Sequence, residues 1–274
     1  MLDFKVNQQT CTKCGSCVGD CPARIISMEA GSPFIAPEKE SGCYRCQHCL
    51  TICPAGSVSI LGLDPANSLP LTGSLPDAAQ IELLIKGRRA VRQYKPENLE
   101  PEVLQRLLDV ASYAPSGMNA RQVRFTLVDD REKMAKLRDE VMAGLGCIVR
   151  EKKLPEGMEF FADFYRAWEE QGLDILFRGA PHFLVVSAPK NIVTPVQDCL
   201  IAMTTFELFA QSIGIGTVWD GLAKWAIADL MPEFRGRLEI PEDHVIGYAM
   251  AFGKPAVHYA RTAQHVPHQI HRMA

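Results

Sequence analysis

Long apolar runs are scarce in this chain of 274 residues. The longest, around Cys199–Ile215, carries Glu207 and Gln211 and has Asp198 beside it. That composition fits a buried helix and excludes a membrane span. An excess of either charge is also lacking: the formal net charge is −3, so nucleic acid is not an expected partner. No G-x-G-x-x-G follows a strand pattern, which removes the usual strand–turn–helix site for NAD(P)H or FAD. The opening residues, Met1-Leu2-Asp3-Phe4-Lys5, have no apolar core of the kind a signal peptide carries. The late histidines His258, His265, His268 and His271 show no compact ligand spacing, so no metal is expected there.

Cysteine is abundant. There are ten, and eight of them fall into two runs of identical spacing, Cys11-x-x-Cys14-x-x-Cys17-x-x-x-Cys21-Pro22 and Cys43-x-x-Cys46-x-x-Cys49-x-x-x-Cys53-Pro54. This is the bacterial pattern for a pair of [4Fe–4S] clusters. Three cysteines at x-x spacing wrap one cubane from a single loop, and the Cys-Pro closing each run serves the other cluster. One cluster is therefore assigned to Cys11, Cys14, Cys17 and Cys53, and the other to Cys43, Cys46, Cys49 and Cys21. Zinc sites usually show two pairs of ligands rather than two triplets each followed by Cys-Pro. Disulfides belong to exported chains. The halves read as an internal repeat, each ending in a short strand (Arg24–Met28 and Ser57–Leu61). Residues 1–63 resemble a bacterial two-cluster ferredoxin. Clusters and an absent export signal imply a reducing cytoplasm. His48 reads as a loop-surface residue, and His182, just before an apolar strand, as a packed one. Cys147 and Cys199 stand outside the runs and read as small buried apolar residues.

Residues 64–79 are rich in Pro, Ser and Gly and read as a linker. Beyond them the pattern alternates over residues 80–274. Helices are expected at Gln80–Lys86, Glu102–Tyr113 (with Pro101 in its first turn), Glu132–Met142, Met158–Gln171 and Pro195–Ser212, the last the longest. Strands are expected at Val123–Val128, Phe183–Ser187, Gly216–Trp219 and Val245–Phe252. The fold class is α+β, with a two-cluster ferredoxin-like domain fused to a larger α+β domain.

Three passages of the larger domain carry chemistry. Arg88-Arg89-Ala90-Val91-Arg92 packs three guanidinium groups into five residues, suited to a phosphate. Ala114-Pro115-Ser116-Gly117-Met118-Asn119 is a turn of small and amide residues. Ile213-Gly214-Ile215-Gly216-Thr217-Val218-Trp219-Asp220-Gly221 is a glycine-rich passage after the longest helix. Singly each is a weak signal: an arginine triplet is usually a solvated face, the turn could be only a helix stop, and the glycine passage only a tight helix-to-strand connection. In this order, with Gly247-Tyr248 and a late Arg261, they resemble the nitroreductase family of FMN flavoproteins from about residue 80 to 265.

That resemblance implies an intertwined homodimer with FMN at the subunit interface. It implies an enzyme that reduces nitroaromatics, quinones or flavins. Arg88, Arg89, Ala90, Arg92 and Arg261 would meet the phosphate and ribityl end, and Pro115, Ser116 and Asn119 the flavin's polar groups. Asp220 and Gly221 would lie on the N5 side. Two features depart from the family pattern: Ala90 stands where Ser is common, and Arg121-Gln122-Val123 where many relatives have Gln-Pro-Trp. Arg121 would face either the flavin carbonyls or solvent. Two clusters beside one flavin imply exchange between one-electron carriers and two-electron chemistry. Ferredoxin or NAD(P)H is the expected donor and a small planar molecule the acceptor. Reductive dehalogenation or ene-type reduction, with a lid at Gly144–Gln171, is the first rival. An electron-transfer or redox-sensing module is the second.

Overall fold

A computed structural model of the chain describes residues 2–265 and 269–273; His268 lies outside them. The chain forms two compact units, Met1–Pro76 with Met118–Ala120, and Asp77–Gly117 with Arg121–Ala274.

The first unit has strands β1 (Lys5–Val6), β2 (Ile26–Glu29), β3 (Ser32–Ile35) and β4 (Val58–Ser59). They pair antiparallel as two ribbons, β1 with β4 and β2 with β3. The β2–β3 turn is Ala30-Gly31, both at positive φ (47° and 78°), the geometry that matches strand twist in a two-residue hairpin. One-turn helices α1 (Ser16–Gly19) and α2 (His48–Thr51) each follow a left-handed residue, Gly15 or Gln47. They present Cys17 and Cys49 from equivalent places, as the repeat predicts. Leu2, Ile25, Ile26, Leu50, Val58 and Ile60 form a small core with those two cysteines. The first expected strand begins two residues late because Arg24 turns at φ 52°. The second is cut to two residues because the chain folds back, bridging Ile60 to Leu63.

In the second unit α3 (Ala78–Gly87) starts earlier than the linker pattern implies. Asp77 caps it, and Gln80 completes a capping box, satisfying two orphan backbone donors. There follow α4 (Pro101–Ala111), β5 (Arg124–Val128), α5 (Arg131–Arg150), α6 (Phe161–Gln171), β6 (His182–Pro189), α7 (Pro195–Ser212), β7 (Gly216–Trp219), α8 (Gly221–Trp225), α9 (Phe234–Arg237) and β8 (His244–Gly253). The sheet order is β5-β6-β8-β7, antiparallel throughout. One face carries Phe183 and Val185 against α5 and α6 residues such as Leu137, Val141, Leu145 and Phe161. The other carries Leu184 and Val186 against Leu107 of α4 and Met203 and Phe206 of α7. With both faces covered, β6 reads as a continuous apolar run instead of alternating.

The longest helix is α5, with 20 residues against 18 in α7, contrary to the sequence expectation that Pro195–Ser212 is longest. Gly144 and Gly146 suggest an early end because glycine weakens helices. Here they are close-packing sites: an added Cβ would sit 2.6 Å from Met231 Sδ at Gly144 and 2.5 Å from the Tyr165 ring at Gly146. Packing outweighs propensity.

The outer edge of β7 is met by the arginine-rich segment. Ala90 pairs with Thr217 in a parallel bridge, and Val91 N donates to the Thr217 carbonyl at 2.9 Å. Gly216 permits the approach, since a Cβ there would stand 2.7 Å from Val91 Cγ2.

Candidate functional site

In the first unit none of the eight run cysteines forms a disulfide. Cys21, Cys43, Cys46 and Cys49 line one small apolar pocket, walled by Ile26, Ile35 and Ile60. Burial pushes the Cys49 thiol up to about 11, and the nearby Cys46, Cys43 and Cys21 push the same way. Burial likewise raises Cys17, with Cys53 and Cys11 adding to it. Each run's closing cysteine thus lies beside the other run's loop. Backbone N–H groups point at sulfur: Arg45 donates to Cys43 Sγ at 3.3 Å and Ser57 to Cys53 Sγ at 3.2 Å. Cys14 Sγ lies 3.3 Å from Ser16 Oγ. His48, at the start of α2, pairs with Asp20 at 3.0 Å, both well exposed.

In the second unit the predicted residues fall into two groups. Arg88, Arg89, Ala90 and Arg92 run along β7, and β7 leads directly into Asp220 and Gly221. Arg88 Nη1 donates to Glu207 Oε1 of α7 at 3.1 Å. Arg89 donates to the carbonyls of Arg88 and Lys86, and Arg92 to that of Ala90. Tyr259 Oη donates to the Ala90 carbonyl at 3.4 Å. Arg261 is exposed and lines a groove with Gly87, Val91, Gly214 and Tyr259.

Asp220 is buried, and its Oδ1 accepts from Ala223 N at 2.9 Å, capping α8. Its Oδ2 has no partner. Burial pushes this carboxyl up to about 7; Asp174 adds to the rise and Arg178 opposes it. An added Cβ at Gly221 would approach Tyr248 Oη at 2.8 Å, so the turn packs closely against the end of that side chain.

The second group sits elsewhere on α7. Pro115 and Ser116 line a cavity with Arg121, Val123, Phe125 and Asp198. Gly117 N donates to Asp198 Oδ1 at 3.0 Å, and Thr194 Oγ1 donates to the same atom at 2.8 Å. Ser116 Oγ accepts from Arg121 N at 2.9 Å. The Arg121 side chain is exposed and donates to the Ser112 carbonyl. Asn119 takes a left-handed backbone at φ 55° and groups with the first unit. The anchors of the two groups, Asp198 and Glu207, are nine residues apart, about 14 Å along the helix axis. The two groups are thus fastened to different turns of α7.

Sequence reasoning gave no site role to Asp198, Glu207 and Thr217. The signal was present as two carboxylates inside the most apolar helix, where a buried charge needs a partner. Cys199 is fully buried, and burial pushes its thiol up to about 12. Cys147 is exposed, contrary to expectation, because its place on α5 faces away from the sheet. His182 is buried, its Nε2 accepts from Leu99 N at 2.9 Å, and burial lowers its pKa. Gly144–Gln171 comprises the end of α5, a connection and α6, with the Phe160 ring 6.4 Å from that of Trp225.

Residues 85–254, more than half of the chain, match the model of the nitroreductase family. The chain belongs to the nitroreductase family. Residues 10–58 of this family member match a 4Fe–4S dicluster domain. A protein of Methanothermobacter thermautotrophicus, provisionally named an NADH dehydrogenase/NAD(P)H nitroreductase, is 27% identical over 192 residues, 68% of this chain and 83% of that one. A crystal structure of a nitroreductase with bound FMN from Desulfitobacterium hafniense is 30% identical. It aligns with a TM-score of 0.54 over 71% of this chain and 96% of that one. The iodotyrosine deiodinase of Thermotoga neapolitana is 29% identical over 140 residues, 49% of this chain and 70% of that one. This family member is accordingly an oxidoreductase. Among the described residues no helix is long and apolar enough to cross a membrane.

Proposed function

We propose that this oxidoreductase is a cytoplasmic iron–sulfur flavoprotein. It holds two [4Fe–4S] clusters and FMN and reduces a small planar acceptor of nitroaromatic, quinone or flavin type. The observation that carries the reading is the joint presence of the crossed cysteine sets and an arginine-rich segment running beside a capped, glycine-bearing turn.

The residues fit both groups. The thiols Cys21, Cys43, Cys46 and Cys49 line one pocket with apolar walls, and Cys11, Cys14, Cys17 and Cys53 are the corresponding second set. Clusters, when bound, supply one-electron exchange; FMN supplies both one- and two-electron chemistry. For FMN, the donor chemistry suits a phosphate dianion: the arginines of residues 88–92, with Arg261, offer forked cationic donors. Asp220 and Gly221 would lie beside the ring; Oδ2 of Asp220 is a buried oxygen without a partner among the described residues. Pro115, Ser116 and Asn119 would complete the site from a second subunit, as the family resemblance implies. A homodimer follows from this reading. No side chain is asked to act as nucleophile; the chain binds, orients and excludes water. The donor is NAD(P)H, named for the archaeal relative, or a reduced ferredoxin.

The test is an anaerobic reductive titration of the reconstituted protein, followed by absorbance and EPR, with dithionite, NADH and NADPH. Uptake of about four electrons per chain fits two clusters and one FMN. Flavin bleaching by a pyridine nucleotide alone assigns NAD(P)H as donor; a response only to dithionite or reduced ferredoxin assigns the one-electron route. Missing cluster or flavin signals sink the corresponding half. The similarity to iodotyrosine deiodinase favours one second reading, reductive dehalogenation, which halide release from a halophenol would reveal.

A further inference from the structure

Glu207 stands out because its side chain is only 5% exposed among Met203, Phe206 and Ala210 on a face of α7 that otherwise builds the core. Removing a carboxylate from water is costly unless it is paired and hydrogen-bonded. Its partners are Arg88 Nη1 at 3.1 Å and Thr217 Oγ1 at 3.5 Å. Arg88 lies at the C-terminal cap of α3 and Thr217 in β7, and the segment between Arg88 and Val91 is already hydrogen-bonded to Thr217. One carboxylate therefore fastens the arginine-rich segment to the strand leading into Asp220. Among the described residues, the side chains of Arg89 and Arg92 bond by contrast to main-chain carbonyls of Lys86, Arg88 and Ala90, neutral acceptors that do not compensate their charge.

We infer that Glu207 is a positioning residue that claims the charge of Arg88 and so divides labour within the segment: Arg88 is the counter-ion of Glu207, while Arg89 and Arg92 provide the attraction for a phosphorylated flavin. The inference rests on the reading that the FMN phosphate lies at residues 88–92, and it adds a residue to that site whose effect is read in phosphate preference. Riboflavin shares the ring and lacks the phosphate, so the ratio of riboflavin to FMN dissociation constants isolates that end of the ligand. A purely structural role for Glu207 would alter folding or both affinities together and leave the ratio unmoved.

The experiment measures both dissociation constants by flavin fluorescence quenching on the flavin-stripped, cluster-loaded full chain. Glu207→Gln keeps the size and an acceptor for Arg88 but releases the cation's charge. FMN preference should rise roughly tenfold. In the double variant Arg88→Met/Glu207→Gln the pair is neutral, as it is when matched, and the ratio should return to within about threefold of wild type. Arg89→Met and Arg92→Met should each lower it. An unchanged or lower ratio in Glu207→Gln overturns the inference. So does a double variant about tenfold below wild type, for then Arg88 is itself the phosphate ligand. That second comparison decides the matter even if the single variant does not fold. If Arg89→Met and Arg92→Met leave the ratio untouched, the phosphate is elsewhere and the underlying reading fails with the inference.

Discussion

Asp220 is the residue with the largest consequence for pH. Its carboxyl is pushed up to about 7 by burial, whereas in an unfolded chain it titrates near 3.8. At low pH it is neutral in both states. As pH rises past the ordinary aspartate range, the unfolded chain releases the proton first, and folded protein loses stability until Asp220 ionises near 7. This group should remove roughly 4 kcal/mol between about pH 4 and 7. Asp220→Asn retains the cap on α8 and should abolish that slope. Urea unfolding across the pH range checks it; equal slopes in both proteins would refute the assignment. The polar identity of Asp220 and its neighbourhood with Gly221 were legible from the glycine-rich passage. Its missing partner was not, because it depends on Asp174, Arg178 and the sheet closing around it. Glu207 and Asp198 illustrate the same limit. Their presence in an apolar helix is visible in the sequence, but Arg88 lies 119 residues from Glu207 and Gly117 lies 81 from Asp198, and no local pattern encodes such pairs.

Elements were legible where periodicity and punctuation agree. Pro195–Ser212 and Gly216–Trp219 have the bounds that their apolar pattern and flanking Pro and Gly indicate. They were less legible where tertiary packing overrides local preference, as in the C-terminal half of α5, which runs through Gly144 and Gly146 because Met231 and Tyr165 occupy the space beside them. Short paired strands such as β1 and β3 gave no usable signal, since two to four residues do not establish a period. Helix–sheet contact also makes a sharp prediction at Gly247 of β8. An added Cβ would overlap Cys199 of α7, with Sγ at 2.9 Å. Gly247→Ala should therefore cost about 1–3 kcal/mol, read as a lowered urea midpoint. A variant as stable as wild type would mean that α7 yields more readily than a packed core does.

At the scale of the whole molecule, the proposed crossed cysteine sets would make each cluster depend on both halves of the first unit. Cys53→Ser should remove the cluster held by Cys11, Cys14 and Cys17 and leave the other, with about four of eight irons retained per chain. Iron analysis and EPR would show it. If the surviving signal instead belongs to the first run, the crossed assignment is wrong. The proposed composite flavin site makes a second prediction. A chain with Arg89→Met and a chain with Ser116 and Pro115 both replaced by bulky residues should each bind FMN poorly. Mixed as unfolded chains and refolded together, they should recover about a quarter of the sites, because each heterodimer contains one intact site. No recovery would mean that both groups serve a site within one chain. The two-unit organisation and the eight cysteines were readable directly, since spacing is a linear property. The separation of Pro115–Ser116 from the arginines was not, since it follows from both being fixed to different turns of α7. The bridge between Ala90 and Thr217 has one more implication. Strand β7 is an outer strand, and its backbone donors and acceptors would otherwise offer a template for another molecule's strand. The segment proposed to grip phosphate is thus also the guard on that edge. Loosening it, by proteolysis near residues 77–93 or by replacing Gly216, should promote aggregation through strand addition even while the core stays folded.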